Sequence, residues 1–202
     1  MRQPQSNFGE MSDKRAGDGS GEVVDPIRVR ACRFEEIALL GPIDLSANPV
    51  FAEWGHPEFA SDSYDSIPDE IARAAIEEGR LLACDLPGGG GNSNLIGWLV
   101  MFDRPNGQTS IGQISIHADH MGKGYGVPLL RSAIERCERV GRRSIVLNTQ
   151  TDVPWNRRWY ERFGFVVVPV EEWDDDMREA AAEQEANGLD WSTRVHMRLA
   201  LL

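Results

Sequence analysis

The sequence predicts a single α/β domain built on a mixed β-sheet of about seven strands with helices on its faces. Its 202 residues, of which 41% are hydrophobic and 26% charged, are enough to form one sizeable core. Segments with a strand pattern alternate with segments of helical pattern, in the order β–α–α–β–β–β–α–β–α–β–α–β. Glycine and proline turn signals separate these segments, and no internal repeat divides the chain.

The first half of the chain predicts a tail, two helices and three strands. Residues 1–25 are polar, glycine-rich and poor in large apolar side chains, which indicates a disordered tail ahead of a domain at 26–202. The second helix begins at Ser66, has Pro68 in its first turn and ends at Gly79. The predicted elements are a strand at 27–31, a short helix at 34–45, an irregular aromatic-rich segment at 46–64, the helix from 66, and strands at 81–84 and 95–102 joined by a loose hairpin at 87–92.

The second half alternates strands with helices. Cys137 lies on the apolar face of a predicted helix and is interpreted as an inert buried thiol. In the last strand Val195, Met197, Leu199 and Leu201 are predicted to face inward, and the side chains between them outward. The predicted elements are strands at 109–117, 144–149, 165–170 and from 194 to the end, a helix that follows the glycines and ends before Gly141, and helices at 154–163 and 172–186.

The most informative stretch lies between the strand that ends near His117 and the helix that follows. Glycines occupy positions 122, 124 and 126, where they allow a tight turn and bring main-chain N–H groups close to a ligand. The start of the next helix adds unpaired N–H groups and the positive end of a dipole. Together these features predict a cradle for a phosphate or pyrophosphate.

Two common phosphate motifs do not fit this loop. A P-loop requires Ser or Thr after its lysine, whereas Lys123 is followed by Gly124. A dinucleotide fingerprint requires Gly-x-Gly-x-x-Gly, and the spacing here is one residue short. That motif also expects an acidic residue about 20 positions later, where this chain has Ser144.

Charge is unevenly distributed along a chain whose net charge is −11. Residues 121–162 contain nine basic and four acidic residues, a net of +5, while residues 171–190 contain nine acidic residues and one basic residue, a net of −8. This pattern favours a small polyanionic ligand at the loop and a cationic second partner elsewhere. It argues against nucleic acid as the main partner.

Three features indicate a cytoplasmic protein. The first residues lack the apolar core of a secretory signal, and no apolar run approaches the length of a membrane span. The three cysteines at 32, 84 and 137 cannot all pair, which suits a reducing compartment. They also lack metal-binding spacing, so no metal site is predicted.

From about residue 27 to the end, the chain resembles the GNAT superfamily of acyl-CoA-dependent N-acetyltransferases. One segment, Ile116-His-Ala-Asp-His-Met-Gly-Lys-Gly-Tyr-Gly126, is similar to the family's Gln/Arg-x-x-Gly-x-Gly/Ala pyrophosphate loop. The other, Trp159-Tyr-Glu-Arg-Phe-Gly-Phe165, looks like its Phe-Tyr-x-x-x-Gly-Phe signature. The resemblance implies a central sheet whose fourth and fifth strands splay apart, and a bacterial subgroup of unassigned substrate.

The resemblance also assigns roles to individual residues. It implies that main-chain groups of Ile114 and Ile116 bind the pantetheine arm, and that the Ile116 N–H donates to the developing oxyanion. Tyr160 corresponds to the family's general acid, and Asn156 is expected to contact the pantetheine or the 3′-phosphate side. The pyrophosphate loop is expected to comprise Met121, Gly122, Lys123, Gly124, Tyr125, Gly126 and Val127.

Two departures from the family pattern concern polar side chains. Met121 replaces the usual Gln or Arg of the loop, and Gln113 stands where many relatives carry a glutamate that helps to activate the amine. The base therefore stays open among several residues. The candidates are Glu35, Glu36, Glu53, His56 and His117.

These observations predict an acetyl-CoA-dependent N-acetyltransferase. The expected acceptor is a primary amine of a small, cationic molecule that attacks directly in a ternary complex, since no cysteine or serine has a recognisable activating partner. Two alternatives remain, namely a protein or peptide N-acetyltransferase and a non-catalytic acyl-CoA-binding regulatory module. The fold is also compatible with a homodimer.

Overall fold

The computed structural model describes residues 27–56, 66–86 and 94–201. The predicted tail at 1–25, the hairpin at 87–92 and residues 57–64 of the aromatic-rich segment lie outside the described residues.

A seven-stranded mixed sheet forms the centre of the molecule. Its strands lie in the order β1-β2-β3-β4-β5-β7-β6, and only the β4–β5 pair is parallel. This confirms the predicted fold class, including the number of strands. The strands are β1 (Arg28–Ala31), β2 (Leu81–Asp85), β3 (Leu95–Asp103), β4 (Gln108–Ile116), β5 (Ser144–Gln150), β6 (Val166–Val167) and β7 (Arg194–Ala200).

Helices cover both faces of the sheet, because successive side chains of each central strand are buried on opposite sides. On β3, Trp98 and Val100 pack with helices α1 and α2, whereas Leu99 and Met101 pack with α3 and α4. Val146 of β5 packs under α5, on the face opposite α3. The helices are α1 (Ile37–Ala52), α2 (Asp69–Glu77), α3 (Gly126–Arg139), α4 (Asn156–Glu161) and α5 (Asp175–Ala186).

Helix α1 is longer than its sequence predicts. It continues to Ala52 through Pro42 and Pro49, although the segment from 46 onward was expected to be irregular. A proline removes one main-chain hydrogen bond, but burial of the apolar face of the helix against the sheet compensates for that loss. The predicted start of the second helix was also too early, because α2 begins at Asp69 and Ser66 makes no cap.

The C-terminal elements are shorter than predicted. Strand β6 contains only Val166 and Val167, and a one-turn 3-10 helix replaces the expected strand residues near Val170. Helix α5 begins at Asp175, because the Asp174 side chain accepts a hydrogen bond from the Met177 N–H and caps it there. The β-branched composition of 165–170 therefore overstated the length of this strand.

The last strand is buried on both faces, which contradicts one prediction. Met197 is fully buried in the main core as expected, but His196 is only 3% exposed instead of facing solvent. Its ring packs against Trp173 and Trp191, with both centroid distances at 4.6 Å, and its Nε2 donates to the Met177 carbonyl at 2.9 Å. The polar alternation of β7 was interpreted as one-sided because the sequence does not show that α5 covers the second face.

Acidification is expected to destabilise the fold through His196. Burial lowers the pKa of this imidazole below its unfolded value, so the unfolded chain binds the proton more readily than the folded chain. The contribution is present above about pH 6.5 and is lost as pH falls from there toward the folded pKa. Between about pH 7 and about pH 5, the urea midpoint of unfolding should therefore fall less for His196→Gln than for the native protein. The half-exposed His117→Gln serves as the control, and equal losses in the native protein and His196→Gln would contradict the prediction.

No helix in the described ranges is both long and apolar enough to cross a membrane.

Candidate active site

A cleft opens between β4 and β5, the two central strands that run in parallel. Their pairing is limited to Gln108–Ser110 against Ser144–Val146. β4 continues to Ile116 and β5 to Gln150 without further pairing to each other. The two strands therefore diverge toward their carboxyl ends, as the family resemblance implies.

A β-bulge at Gly112 marks the point where the cleft begins. Consecutive β3 residues Val100 and Met101 pair with Gln113 and Ile111, so β4 contains one extra residue between them. A Cβ at position 112 would lie 2.3 Å from the Phe102 ring, which leaves no room for a side chain. Glycine is thus required at the bulge that redirects β4.

Beyond the bulge, alternate main-chain groups of β4 point into the cleft. The His117 N–H donates to the Ile96 carbonyl of β3 at 2.8 Å, and its neighbours alternate in direction. The N–H and C=O groups of Ile114 and Ile116 therefore point away from β3, toward the side from which β5 has diverged. Both residues thus lie on the open edge of β4, and the cofactor-binding role that the resemblance gives them stays a prediction.

The loop after β4 presents a run of main-chain N–H groups. Gly122 and Gly124 have φ values of 72° and 83°, a left-handed region that favours glycine. In the described part of the chain, no acceptor lies in hydrogen-bond geometry with the N–H groups of residues 122–125. These groups lie just before α3, whose positive dipole end reinforces them.

Two main-chain N–H groups of the predicted loop already make hydrogen bonds within the protein. The Met121 N–H donates to the Ala118 carbonyl at 3.1 Å, and the Val127 N–H donates to the Gly124 carbonyl at 3.0 Å. These two main-chain groups hold the loop in shape and are not available to a ligand. Lys123 is exposed, and its Nζ donates to the Asp119 carbonyl at 2.8 Å, which keeps its positive charge beside the loop.

Helix α4 packs directly on the loop. A Cβ at Gly126 would lie 3.2 Å from the Trp159 ring and 4.0 Å from Ile114 Cδ1, so this glycine allows the indole to cover the first turn of α3. Asn156 at the start of α4 donates from Nδ2 to Gln150 Oε1 at 2.8 Å, which ties the helix to the end of β5. The Asn156 carboxamide is thus held at the cleft rim.

Tyr160, the predicted general acid, follows Trp159 and is 9% exposed. Its ring packs against Trp159 and Phe165, at centroid distances of 4.9 and 5.8 Å, in the same core cluster as Ile114 and Ile116. Burial raises the pKa of its phenol, and the charge of Arg194 opposes that rise. Within the described ranges the hydroxyl makes no hydrogen bond, so it remains able to donate to a ligand.

Three candidate bases are either exposed or already paired. Glu35 and Glu53 are exposed at either end of the α1 region. Glu36 is buried, and its carboxylate bonds to the guanidinium groups of Arg30 and Arg33. Glu36 thus serves a structural ion-pair network between the first strand and α1.

The two histidine candidates occupy different positions. Nδ1 of the half-exposed His117 accepts from the Asp119 N–H at 3.3 Å, so it forms a cap for the turn before the loop. His56 is buried beyond the end of α1, and its Nε2 lies 3.0 Å from Asp152 Oδ1 in the loop after β5. This pair joins the two sides of the cleft at its open end.

Sequence reasoning missed a buried polar cluster between α1 and β4. Gln113 Nε2 donates to Asp44 Oδ1 at 2.5 Å and to Ser115 Oγ at 3.1 Å, and Ser115 Oγ donates to Asp44 Oδ1 at 2.8 Å. Asp44 is 4% exposed. The available signal was an aspartate between Ile43 and Leu45 in an apolar helical segment, where a charge is unusual.

The model of the acetyltransferase (GNAT) family matches residues 48–165, which are 118 of the 202 residues. The chain belongs to the GNAT acetyltransferase family. The resemblance drawn from the pyrophosphate loop and the tyrosine signature is thereby confirmed, and the chain falls in the transferase class of enzymes.

Solved structures share the GNAT fold at low sequence identity. A GNAT acetyltransferase from Staphylococcus aureus Mu50 is 12% identical with a TM-score of 0.61, covering 88% of this chain and 100% of that one. A Mycobacterium tuberculosis protein solved in complex with CoA is 14% identical with a TM-score of 0.60, covering 87% and 99%. The ribosomal-protein-S18-alanine N-acetyltransferase from Escherichia coli is 10% identical with a TM-score of 0.56, covering 87% and 94%.

Among the described residues of this GNAT chain, no group of three His, Cys, Asp or Glu side chains is arranged to hold a metal ion.

Proposed function

We propose that this GNAT protein transfers an acetyl group from acetyl-CoA to a primary amine of a small molecule by direct attack in a ternary complex. One observation carries the proposal. The open main-chain edge of β4 is followed, after one 3-10 turn at Ala118–His120, by the unpaired N–H groups of the glycine loop at the start of α3. An acyl donor whose extended arm leads to a diphosphate would match this combination of an edge and an anion cradle.

In this proposal the main-chain N–H groups from Gly122 to Gly126 bind the pyrophosphate, assisted by Lys123. The cleft-facing groups of Ile114 and Ile116 bind the pantetheine arm, and Asn156 contacts it from the cleft rim. The Ile116 N–H also donates to the oxyanion that develops on the thioester, an effect worth ~3 kcal/mol in comparable sites. Met121 and Val127 contribute the shape of the loop rather than their N–H groups.

Tyr160 is proposed to protonate the departing thiolate. A phenol and a thiol have comparable basicity, and burial keeps Tyr160 in its protonated form at neutral pH. The acetylated amine loses one proton and the thiolate gains one, so the net reaction forms an amide and a free thiol.

The state of the cysteines supports direct attack over a covalent acyl-enzyme. Cys32, Cys84 and Cys137 are buried and unpaired, and burial raises the pKa of Cys32 to about 12 and that of Cys84 to about 11. Thiols in this condition are poor nucleophiles at neutral pH. Unpaired buried cysteines also agree with the proposed cytoplasmic location.

The acceptor is proposed to be cationic because the chain has a net charge of −11 and buries the Asp44 carboxyl beside the cleft. A second candidate is peptide acetylation. The solved neighbours include the Escherichia coli S18-alanine acetyltransferase and a NatC complex bound to Gag peptide, which shares 16% identity, 87% and 99% coverage and a TM-score of 0.58 with this chain.

Calorimetric titration with acetyl-CoA, followed by thiol release with a panel of amines, tests the proposal. We expect saturable heat and faster thiol release with spermidine, glycinamide or an aminoglycoside than with peptides that have a free N-terminus. Faster release with the peptides would favour protein acetylation. Binding without turnover across the whole panel would favour the non-catalytic module, and no heat at all would contradict the cradle.

A further inference from the structure

We propose that Gln113 is the residue that holds the acceptor amine, and that Asp44 and Ser115 position its carboxamide for this task. This proposal rests on the acetyltransferase function proposed above. It names the site of the acceptor amine, which that function did not assign to any residue. Gln113 Oε1 would accept a hydrogen bond from the amine N–H, so that the nitrogen lone pair can face the thioester.

The cluster lies on the correct side of the cleft for an acceptor. The side chain of Ile114 packs on the α3 face, next to Gly126 and the cofactor loop. Gln113 and Ser115 alternate with it and project to the α1 face, where they meet Asp44. An acyl donor bound at the loop would occupy one side of the cleft edge, so the amine must approach from the side that carries Gln113.

The hydrogen bonds of the cluster fix which end of the Gln113 carboxamide is free. Asp44 Oδ1 takes two donors, so the amide NH₂ of Gln113 must face it. Both Nε2 hydrogens are then used, one on Asp44 and one on Ser115. Oε1 is left as an acceptor on a half-exposed side chain, with no donor to it among the described residues.

Burial makes this arrangement rigid and electrostatically effective. Asp44 is 4% exposed and Ser115 is 6% exposed, so water competes weakly for their hydrogen bonds. A carboxyl acceptor behind the amide polarises it, which strengthens the bond that Oε1 can accept.

A second observation on the same helix points to a ligand. Asn48 lies one turn after Asp44 on the same face of α1 and is also 4% exposed. Its Nδ2 is fully buried and has no hydrogen-bond partner among the residues that the structure describes. A buried donor without a partner is destabilising unless a ligand or water accepts its hydrogen bond. Helix α1 therefore presents a donor beside the cleft that a ligand could use.

Kinetics of Asp44→Asn, Gln113→Ala and their double variant test the coupling. With the best amine of the panel as probe, each single variant should raise the KM for the amine ~10-fold, the effect of one lost hydrogen bond to a polarised or charged group, while the KM for acetyl-CoA stays within about twofold. The KM of the double variant for the amine should not exceed the higher of the two single-variant values, because Asp44 acts through Gln113. Asp175→Asn, at an exposed position of α5, is the matched control.

Other outcomes would overturn the proposal. In one such outcome, the double variant raises the amine KM by the product of the two single-variant factors. In another, Asp44→Asn lowers the melting temperature and leaves the amine KM unchanged. Either result would assign Asp44 a structural role only. Gln113→Glu should also lose amine affinity, since it brings a second carboxyl against Asp44. A gain in turnover for Gln113→Glu would show that a carboxylate, and not a polarised amide, is needed at this position.

NMR spectroscopy tests the same proposal without depending on turnover. The two Nε2 protons of Gln113 should give NMR signals that are shifted by their hydrogen bonds and exchange slowly with water, and both signals should move toward ordinary glutamine values in Asp44→Asn. Titration of the same amines into the protein with CoA should shift these signals in the native chain and not in Asp44→Asn. Absence of any shift would overturn the amine site even where calorimetry shows acetyl-CoA binding, so the two proposals fail separately.

Discussion

Substitution of Gly124 by glutamate is expected to abolish acetyl-CoA binding while the fold is retained. Gly124 lies in the middle of the loop with a φ of 83°, and a Cβ there would meet nothing within 4 Å. The new side chain therefore finds space in the protein, but it would project beside N–H groups that have no internal partner. Its carboxylate would compete for the anion cradle and repel a diphosphate, so calorimetry should show no saturable heat.

Gly141→Glu provides a matched control for the backbone strain of this substitution. Gly141 follows the same helix at its other end, has a φ of 71° and also has nothing within 4 Å of a Cβ. Both variants should lose a similar part of the free energy of unfolding, because each forces a non-glycine residue into a left-handed conformation. Retained acetyl-CoA binding by Gly124→Glu, or equal loss of binding by Gly141→Glu, would refute the cradle.

The proposed cofactor side of the site could be inferred from sequence because it is local. The residues from Ile114 to Val127 are contiguous, and their conformation follows from a strand, a glycine turn and a helix start. The unpaired edge of β4 also depends on the bulge at Gly112, whose cause is the Phe102 ring on a neighbouring strand. That cause is not local, so sequence reasoning could name the edge only through a family resemblance.

The proposed acceptor side could not be inferred from sequence, because it is assembled from distant parts of the chain. Asp44 and Gln113 are 69 positions apart, and His56 and Asp152 are 96 positions apart. Propensity placed the end of α1 seven residues too early, at 45 instead of 52, and so left Asn48 outside any helix. Only tertiary packing shows that α1 runs along β4 and carries its polar residues to the cleft.

Replacement of Tyr160 by phenylalanine is expected to lower turnover by ~10²–10⁴, the range for loss of a general acid, without weakening acetyl-CoA binding. The phenyl ring keeps the packing of Tyr160 against Trp159 and Phe165, and the lost hydroxyl has no hydrogen bond to a described residue. The melting temperature should therefore change little. Thiol-release kinetics and calorimetry on the same preparation separate the chemical step from binding.

The pH profile makes the assignment of Tyr160 sharper. Burial outweighs the charge of Arg194 and raises the pKa of the phenol, so the native enzyme should show no alkaline loss of turnover below about pH 10 from this group. An alkaline limb well below that value, shared by Tyr160→Phe, would belong to another residue. Unchanged turnover in Tyr160→Phe would remove this hydroxyl from the chemistry. A parallel fall in acetyl-CoA affinity would show instead that Tyr160 shapes the pocket without donating a proton, since a group needed only for leaving-group departure is not required for the donor to bind.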